Sequence, residues 1–402
     1  MTGRLLATMV YLMLPLGAAQ GQNTPVNPAP GEPVRIGVLT DETGPYADSA
    51  GPGSVLAARM AAADFGGTVH GRTIEILHDD TQNKPDVAAA AARRWFDTDG
   101  VDAVIDLPVT PIALAVQEIA RQKNRTVMIT ASAASEFTAK FCSPVSTHWA
   151  DDTHALTAGT VRALMASGGD SWFFITVDQA FGLALEREAT AIITAQGGHV
   201  LGTARHAIGA TDFSSLLLQA QASGAKVVAL ASVGGDLVNL LKQASEFGLR
   251  EKQTVAGFLT YIQDINALGL EATQGYVFTE GFYWNQNARA RAFAERFFAE
   301  QKMMPSKNHA EIYTAVTHYL RAIDAAGTTE AVAVNRAMRE RPVDYFGKPA
   351  TIRNDGRVLF DETLWQVKTP AESKEPWDYY SAVRTIPASE AFLSTNREAC
   401  GG

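Results

Sequence analysis

Short apolar runs along the chain alternate with longer stretches in which apolar residues return every three or four positions. The first run, "VRIGVLTD" at 34–41, is followed after a loop by "GSVLAARMAAADFG" at 53–66. The second run, "TIEILHDD" at 73–80, is followed by "DVAAAAARRWFDT" at 86–98. The short runs predict buried β-strands and the longer stretches predict helices. Strands that alternate with helices of this length predict right-handed βαβ units and a parallel sheet.

The same alternation begins again near residue 171 and predicts a second sheet, with "SWFFITVD" and "KVVALAS" among its strands. Near its end the chain has two alternating runs around Asn354, Asp355 and Gly356, a turn sequence typical of a β-hairpin. We therefore predict an α/β protein with two successive Rossmann-like lobes, each with a parallel central sheet. Open α/β sheets bind ligands beyond the carboxyl ends of their strands, so the cleft between the lobes is the expected binding site.

The first 21 residues predict a secretory signal peptide. Arg4 precedes an apolar run from Leu5 to Ala19, which is followed by small residues and is shorter than the ~18 apolar residues that a membrane span needs. Residues 22–33, rich in Pro, Gly and Asn, predict a disordered leader. The expected product is an exported protein without a membrane-inserted segment. The full chain has a net charge of −9 and the product is slightly more acidic, which argues against binding to nucleic acid.

In the first lobe, the loop after the first strand carries Tyr46 and Ser49 as candidate ligand contacts. The same loop contains Gly51, Pro52 and Gly53, but the spacing does not fit a dinucleotide-binding loop, because it lacks a tight turn and has Leu56 at the third glycine position. We interpret this segment as a glycine-rich binding loop.

Hydroxyl-bearing loops follow the third and fourth strands and predict a carboxylate site. They carry Thr110 on one loop and Ser132, Ala133 and Ser135 on the other. Free amides and the positive dipole end of a helix or turn attract a carboxylate at such positions. The alternative, which the sequence leaves open, is that these hydroxyls only cap helices.

In the second lobe, three loops offer one candidate each. Phe181 lies at a strand–helix junction, Asp236 follows the Gly234-Gly235 turn, and Tyr261 lies on "FLTYIQD". Aromatic side chains at loop tips are expected to face a ligand or to pack under the lobe.

These stretches together resemble the type I periplasmic solute-binding proteins of ABC importers, in the leucine/isoleucine/valine-binding branch and close to the subgroup that includes binders of aromatic acids. The resemblance covers residues 34 to 400 and is carried by "YADSAGPGSVLAA", "CSPVSTHWADDTHAL", "AFGLALERE", "GGDLVNLLKQASEFGL", "EGFYW", "YTAVTHYLRAI" and "SKEPWDYY".

The resemblance implies two lobes, joined by a multi-strand hinge, that close over a small solute in the periplasm. The first lobe then comprises 34–148 and 285–341, the second 149–284 and 342–385, and 386–402 form a tail. It implies that Thr110 and Ser132 to Ser135 hold a ligand carboxylate and that Phe181 forms an aromatic wall. Amino-acid binders hold the ligand ammonium with an acid on the loop that here reads "FLTYIQD", where Thr260 and Tyr261 stand and Asp264 is the nearest acid. This favours a carboxylate ligand without an α-ammonium, although Asp236 keeps an amino acid possible.

The stretch "FCSPVSTHWADDTHA" at 141–155 gathers one cysteine, two histidines and two aspartates. In an exported chain with only two cysteines, Cys142 and Cys400 are expected to form a disulfide, which disfavours both a thiol nucleophile and a metal site that would add His148, Asp151 and His154. We predict no metal. His148 and Trp149 are expected at one crossing between the lobes, "EGFYW" with Trp284 at a second, and 327–342 at a third.

The sequence therefore predicts a monomeric, non-enzymatic receptor that needs no cofactor and delivers its solute to an inner-membrane permease. The alternative from another class is a sensory module that acts on a signalling partner. An exported hydrolase is disfavoured, since the chain has no Gly-x-Ser-x-Gly or His-Glu-x-x-His motif.

Overall fold

The computed structural model describes residues 31–394, so the predicted signal peptide, most of the leader and Cys400 lie outside the described residues. The strands of the described part are β1 (Val34–Thr40), β2 (Thr68–Val69), β3 (Arg72–Asp80), β4 (Ala103–Asp106), β5 (Thr126–Ile129), β6 (Ser146–His148), β7 (Ser171–Val177), β8 (His199–His206), β9 (Val227–Ala231), β10 (Thr254–Gly257), β11 (Val277–Glu280), β12 (Val343–Tyr345), β13 (Lys348–Ile352), β14 (Val358–Leu359), β15 (Glu362–Val367) and β16 (Tyr380–Ile386).

The α-helices of the same part are α1 (Gly51–Asp64), α2 (Pro85–Arg94), α3 (Thr110–Lys123), α4 (Thr153–Ala166), α5 (Ala180–Ala195), α6 (Ser214–Ser223), α7 (Gly234–Glu246), α8 (Ile262–Leu268), α9 (Leu270–Thr273), α10 (Ala288–Gln301), α11 (Lys307–Ala326), α12 (Ala331–Glu340) and α13 (Ala388–Ala391). None of the helices between residues 31 and 394 is long and apolar enough to cross a membrane.

The first lobe is built on a sheet in the order β2-β3-β1-β4-β5-β6, parallel except for the β2–β3 pair. The second lobe is built on a sheet in the order β16-β15-β11-β10-β9-β7-β8, where β15 runs antiparallel to its neighbours β11 and β16 and the other pairs are parallel. The central strands of both sheets are almost entirely buried apolar residues, as expected for parallel strands covered on both faces. The predicted α/β architecture with two mainly parallel sheets is confirmed.

The chain passes between the two sheets three times. The first crossing, residues 149–152, joins β6 to α4, and the second, residues 281–287, joins β11 to α10. The third follows a small sheet in the order β12-β13-β14, whose β13–β14 hairpin turns at the predicted Asn354–Gly356 sequence.

The small sheet favours a boundary different from the predicted one. Its strands β12 and β13 contact α11 and α12, and α11 packs on α1 beside the first sheet. We therefore propose that 343–359 belong with the first lobe and that the third crossing lies at 360–361, whereas the sequence predicted it at 327–342.

Gly51, Pro52 and Gly53 are the first turn of α1, and this corrects the interpretation of these residues as part of a loop. Gly51 has φ +57°, a conformation in which a side chain is strained. A Cβ on Gly53 would collide with the buried imidazole of His309 on α11. The glycines therefore allow α1 to begin sharply and to pack closely against α11.

Candidate functional site

A cavity of about 190 Å³ lies between the loop after β1 in the first lobe and two segments of the second lobe. It contains three of the predicted ligand contacts: Tyr46, Ser49 and Tyr261. The remaining lining residues are Pro45, Asp48, Val233, Gly234, Gly235, Val238, Gln263, Asp264 and Ala267.

The buried side chain of Asp41 fixes the shape of the loop that carries Tyr46. One carboxylate oxygen accepts a hydrogen bond from the amide of Gly44 over 2.9 Å, and the other accepts from the amide of Tyr46 over 2.9 Å. Asn83 donates to the second oxygen over 2.8 Å from the neighbouring strand end. These bonds hold the Tyr46 side of the cavity in one conformation.

The opposite wall of the cavity contains two helix N-termini. Gly234 and Gly235 form the first turn of α7, and Val233 before them supplies no side-chain cap. Tyr261 precedes α8, and its amide donates to Asp264 Oδ2 over 2.9 Å. The free amides of α7 can therefore donate hydrogen bonds to an anion, whereas Asp264 already accepts a hydrogen bond at the start of α8.

The side chains that line the cavity give it an acidic character. Asp48 and Asp264 both line it, and no Lys or Arg is among its lining residues. Burial raises the pKa of Asp264 to about 7, with the amide of Tyr261 opposing this and the charge of Asp48 adding to it. Asp264 therefore changes its charge near neutral pH.

Asp236 lies in the first turn of α7 but does not line the cavity. Both of its oxygens accept a hydrogen bond from the amide of Gly209, over 3.1 and 3.0 Å, and one lies 3.9 Å from His206 Nδ1. Burial raises the pKa of Tyr46, and the charges of Asp41 and Asp236 add to this increase. Asp236 therefore affects the ionisation of Tyr46 through its charge, although it does not line the cavity.

Thr110 and Phe181 also lie outside the lining of this cavity. Thr110 is the first residue of α3 and is half-buried. Phe181 is the second residue of α5 and packs, partly buried, against the core of the second lobe. Their roles as ligand contacts stay predictions.

The loop after β5 carries three of the predicted ligand contacts, and each of them takes part in a hydrogen bond within the protein. Ser132 Oγ donates to the carbonyl of Leu107 over 2.5 Å, and the carbonyl of Ala133 accepts from the amide of Thr153 at the start of α4 over 2.8 Å. Ser135 Oγ donates to Glu188 Oε1 on α5 over 3.5 Å. These residues stay predicted ligand contacts; the bond of Ser132 lies within the first lobe, and those of Ala133 and Ser135 tie the loop to the second lobe.

The predicted hinge residues lie at or beside the first two crossings. His148 ends β6, and Trp149, fully buried, donates from Nε1 to Thr147 Oγ1 over 2.8 Å. Trp284 donates from Nε1 to the carbonyl of Trp377 over 2.9 Å.

Sequence reasoning missed Arg357, which ties the first crossing to the third. It is fully buried and donates to the carbonyl of Trp149 over 2.9 Å and to the carbonyl of Val358 over 2.9 Å. Its Nη1 lies 3.5 Å from Asp152 Oδ2. In the sequence, Arg357 stands in a hairpin next to a turn, where an arginine is normally exposed, so no local signal identifies it.

Two hydrogen bonds join the lobes directly beside the cavity. Gln263 Nε2 donates to the carbonyl of Met304 over 2.9 Å, and Asn308 Nδ2 donates to Tyr261 Oη over 3.3 Å. Gln263 and Tyr261 belong to the second lobe, whereas Met304 lies just before α11 and Asn308 in its first turn, both in the first lobe. The structure therefore has its lobes in contact around the cavity.

The charged residues of the stretch 141–155 have separate partners and do not form one site. Asp151 pairs with Lys307 over 3.0 Å, and Asp152 caps α4 by accepting from the amide of Ala155 over 2.8 Å. Within residues 31–394 no group of three or more His, Cys, Asp or Glu side chains is placed to hold a metal ion. The predicted bridge between Cys142 and Cys400 stays a prediction, since Cys400 lies outside the described residues.

Two α/β lobes, three crossings and a cavity between the lobes define the class of two-lobed binding proteins. The family model described as "Periplasmic binding protein" matches residues 33–374. The chain belongs to this family, and the predicted resemblance to type I solute-binding proteins is confirmed.

Two crystal structures illustrate the similarity. A periplasmic binding protein from Burkholderia mallei is 44% identical, with a TM-score of 0.86, over 92% of this chain and 99% of that one. A branched chain amino acid ABC transporter periplasmic ligand-binding protein from Burkholderia xenovorans is 37% identical, with a TM-score of 0.87 and the same coverage. A solute-binding protein from R. palustris in complex with benzoate shares the fold, with a TM-score of 0.79 at 19% identity over 92% of this chain and 99% of that one.

Among curated proteins, the Leu/Ile/Val-binding protein homolog 6 of Brucella melitensis is 28% identical over 246 residues. The matched region covers 60% of this chain and 62% of that relative.

Proposed function

We propose that this protein is the periplasmic receptor of an ABC importer, closing over a small carboxylate-bearing solute and delivering it to a membrane permease. The observation that carries the proposal is the cavity of about 190 Å³, whose walls come from both lobes. A ligand held between two lobes stabilises their closed arrangement, which a permease can distinguish from the open one. Such a receptor binds its solute unchanged and is not an enzyme.

Different groups that face the cavity suit different parts of a solute. The free amides of Gly234 and Gly235 at the start of α7 suit a carboxylate, and the rings of Tyr46 and Tyr261 suit an apolar or aromatic body. We propose that Ser132, Ala133 and Ser135 in the first lobe add further donors to the solute.

The acidic lining favours a solute with an ammonium group, which the sequence did not favour. A buried ammonium needs an anionic partner, and both Asp48 and Asp264 line the cavity. The Burkholderia xenovorans relative is described as part of a branched chain amino acid transporter. An amino acid is therefore the preferred solute, with an aromatic acid as the second candidate because Asp264 can hold a proton near neutral pH.

A thermal-shift screen of the purified protein tests this function. One panel holds branched-chain and aromatic amino acids, and the other holds benzoates, cinnamates and short organic acids. A solute that binds only the folded protein stabilises it by about 2.7 kcal/mol at a hundredfold excess over its Kd, and this raises the melting temperature. A shift with either panel supports the receptor, and the panel that responds names the ligand class. Silence on both panels contradicts the proposed ligand class.

A further inference from the structure

A group of buried charged side chains lies where the three crossings meet, and we call it the hinge cluster. It contains more acids than bases: five carboxyl groups face three cationic groups. The acids are Asp151, Asp152, Glu280, Glu311 and Glu362, and the bases are Lys307, Lys348 and Arg357. All five acids are buried, with at most 3% of each residue exposed.

The members of the hinge cluster come from both lobes. Glu280 ends β11 and Glu362 begins β15, so both are fixed to the sheet of the second lobe. Lys307 and Glu311 are on α11, which packs beside the first sheet. Asp151 lies in the first crossing. A rotation of one lobe against the other therefore changes the distances within the hinge cluster.

The three bases of the hinge cluster contact the two aspartates or a backbone carbonyl rather than the glutamates. Lys307 Nζ lies 3.0 Å from Asp151 Oδ2, Arg357 lies 3.5 Å from Asp152, and Lys348 Nζ donates to the carbonyl of Gly281 over 3.1 Å.

The glutamates are left without such partners. Among the described residues no donor reaches either carboxyl oxygen of Glu311 or Glu362. Glu362 instead faces Asp151, and two carboxyl groups form a hydrogen bond only when one of them holds a proton.

Burial raises the pKa of Glu280, Glu311 and Glu362 well above the ordinary value; the neighbouring Asp151 adds to the increase for all three, and the charge of Lys307 opposes it. Burial would lower the pKa of Lys307, but Asp151 and Glu280 outweigh this and raise it, so Lys307 stays charged.

The other titratable groups around the hinge cluster supply no positive charge. Burial and Arg357 lower the pKa of His148, so its ring is neutral. Burial also lowers the pKa of His154, although the charge of the neighbouring Asp152 opposes this. The remaining neighbours are acids or hydroxyls: Asp264, Asp361, Glu188, Tyr261, Tyr345 and Tyr380.

We propose that closing of the lobes takes up protons at the hinge cluster, so that the solute affinity rises as the pH falls. Opening carries Glu280 and Glu362 away from Lys307 and Glu311 and admits water, which restores the ordinary acidity of the carboxyl groups. The closed state then binds more protons than the open state, and low pH favours closure. Each proton taken up changes the closing equilibrium about tenfold per pH unit between its two pKa values. The inference rests on the proposed function only in assuming that the lobes open.

Small-angle X-ray scattering of the solute-free protein tests this inference without a known ligand. We expect the radius of gyration of the unsubstituted protein to increase as the pH is raised from about 5.5 to about 8.5. The double variant Glu311→Gln/Glu362→Gln keeps the hydrogen-bonding shape of the protonated groups but cannot release protons at these two positions, so its radius of gyration should increase much less over the same pH range. Glu246→Gln, which changes an exposed carboxyl on α7, is the matched control and should follow the unsubstituted protein.

Two results overturn the inference. One is a radius of gyration that does not change with pH in the unsubstituted protein, and the other is a double variant that expands with pH as the unsubstituted protein does. Glu362→Gln alone, measured in the same way, guards against a double variant that fails to fold. A negative result here leaves the solute screen unaffected, and a silent screen leaves this measurement valid, so the two failures are distinguishable.

Discussion

The buried guanidinium of Arg357 donates a hydrogen bond from Nη1 to Nδ1 of His148 over 3.0 Å. A guanidinium has no acceptor, so Nδ1 of His148 accepts and its Nε2 carries the hydrogen. That hydrogen is donated to the carbonyl of Ser132 over 2.7 Å. A continuous chain of hydrogen bonds therefore runs from the residue before β14, through the end of β6, to the loop after β5, where the sequence predicted ligand contacts.

Replacing Arg357 should destabilise the protein strongly. Arg357→Met leaves Asp152 without a buried counter-charge and the carbonyl of Trp149 without its donor, and breaking a buried pair in this way costs about 3–5 kcal/mol. The free energy of unfolding in urea, measured at neutral pH, checks this.

Arg384→Met is the matched control for that measurement, because Arg384 forms an exposed pair with Glu390. Removing an exposed pair should cost at most about 1 kcal/mol. Equal losses in the two variants would mean that the Arg357 network contributes nothing special to the crossings.

Removing the ring of Tyr261 should weaken solute binding. Tyr261 lines the cavity and receives a hydrogen bond from Asn308 across the lobes. Tyr261→Ala removes both the wall and the bridge, and we expect the Kd to rise at least about tenfold, whereas Tyr261→Phe keeps the ring and should lose less. Titration calorimetry with the solute found in the screen measures both, and Tyr379→Ala, outside the cavity lining, should bind normally. Unchanged binding by Tyr261→Ala would exclude this cavity as the solute site.

The variant Asp264→Asn separates the two ligand classes. The pKa of Asp264 is raised to about 7 by burial, so its carboxylate is ionised above that pH and protonated below it. For a solute with an ammonium group, the affinity of the unsubstituted protein relative to Asp264→Asn should therefore grow as the pH rises through 7. For an acid without an amine the ratio should fall instead, because the ionised carboxylate repels it. The ratio removes the part of the hinge-cluster contribution that both proteins share and leaves only the effect of the Asp264 charge on Glu280.

A side chain at Gly53 should disturb the junction of α1 and α11. The added Cβ meets His309, whose Nε2 lies 2.8 Å from the carbonyl of Ala50. Gly53→Ala should lose about 1–3 kcal/mol of unfolding free energy, as expected for overpacking. Gly235→Ala, with open space around the new Cβ, is the control and should lose less than about 1 kcal/mol. If Gly53→Ala is as stable as Gly235→Ala, α1 has room to move away from α11.

The fold was largely predictable because its signals are local. Buried parallel strands appear as short apolar runs, and the Asn354–Gly356 turn identified the β13–β14 hairpin from residues adjacent in the chain. The start of α1 was missed, since Gly51 and Gly53 look like a loop until the packing of His309 against Gly53 is known.

The site was only partly predictable because its neighbours are distant in sequence. Tyr46, Ser49 and Tyr261 follow strands and were predicted as ligand contacts from that position, and all three line the cavity. The orientation of Asp264 into the cavity depends on the cap it forms for α8. The pairing of Lys307 with Asp151 joins residues 156 positions apart and leaves no local pattern.

Small-angle scattering with and without the solute that gives the largest thermal shift is the measurement that tests the central claim most directly. The account predicts that this solute decreases the radius of gyration of the unsubstituted protein at constant pH, because the lobes close over it, and that Tyr261→Ala needs more solute to reach the same value. A solute that binds tightly while the radius of gyration stays constant, in a protein whose solute-free form is open, would contradict a receptor that works by closing.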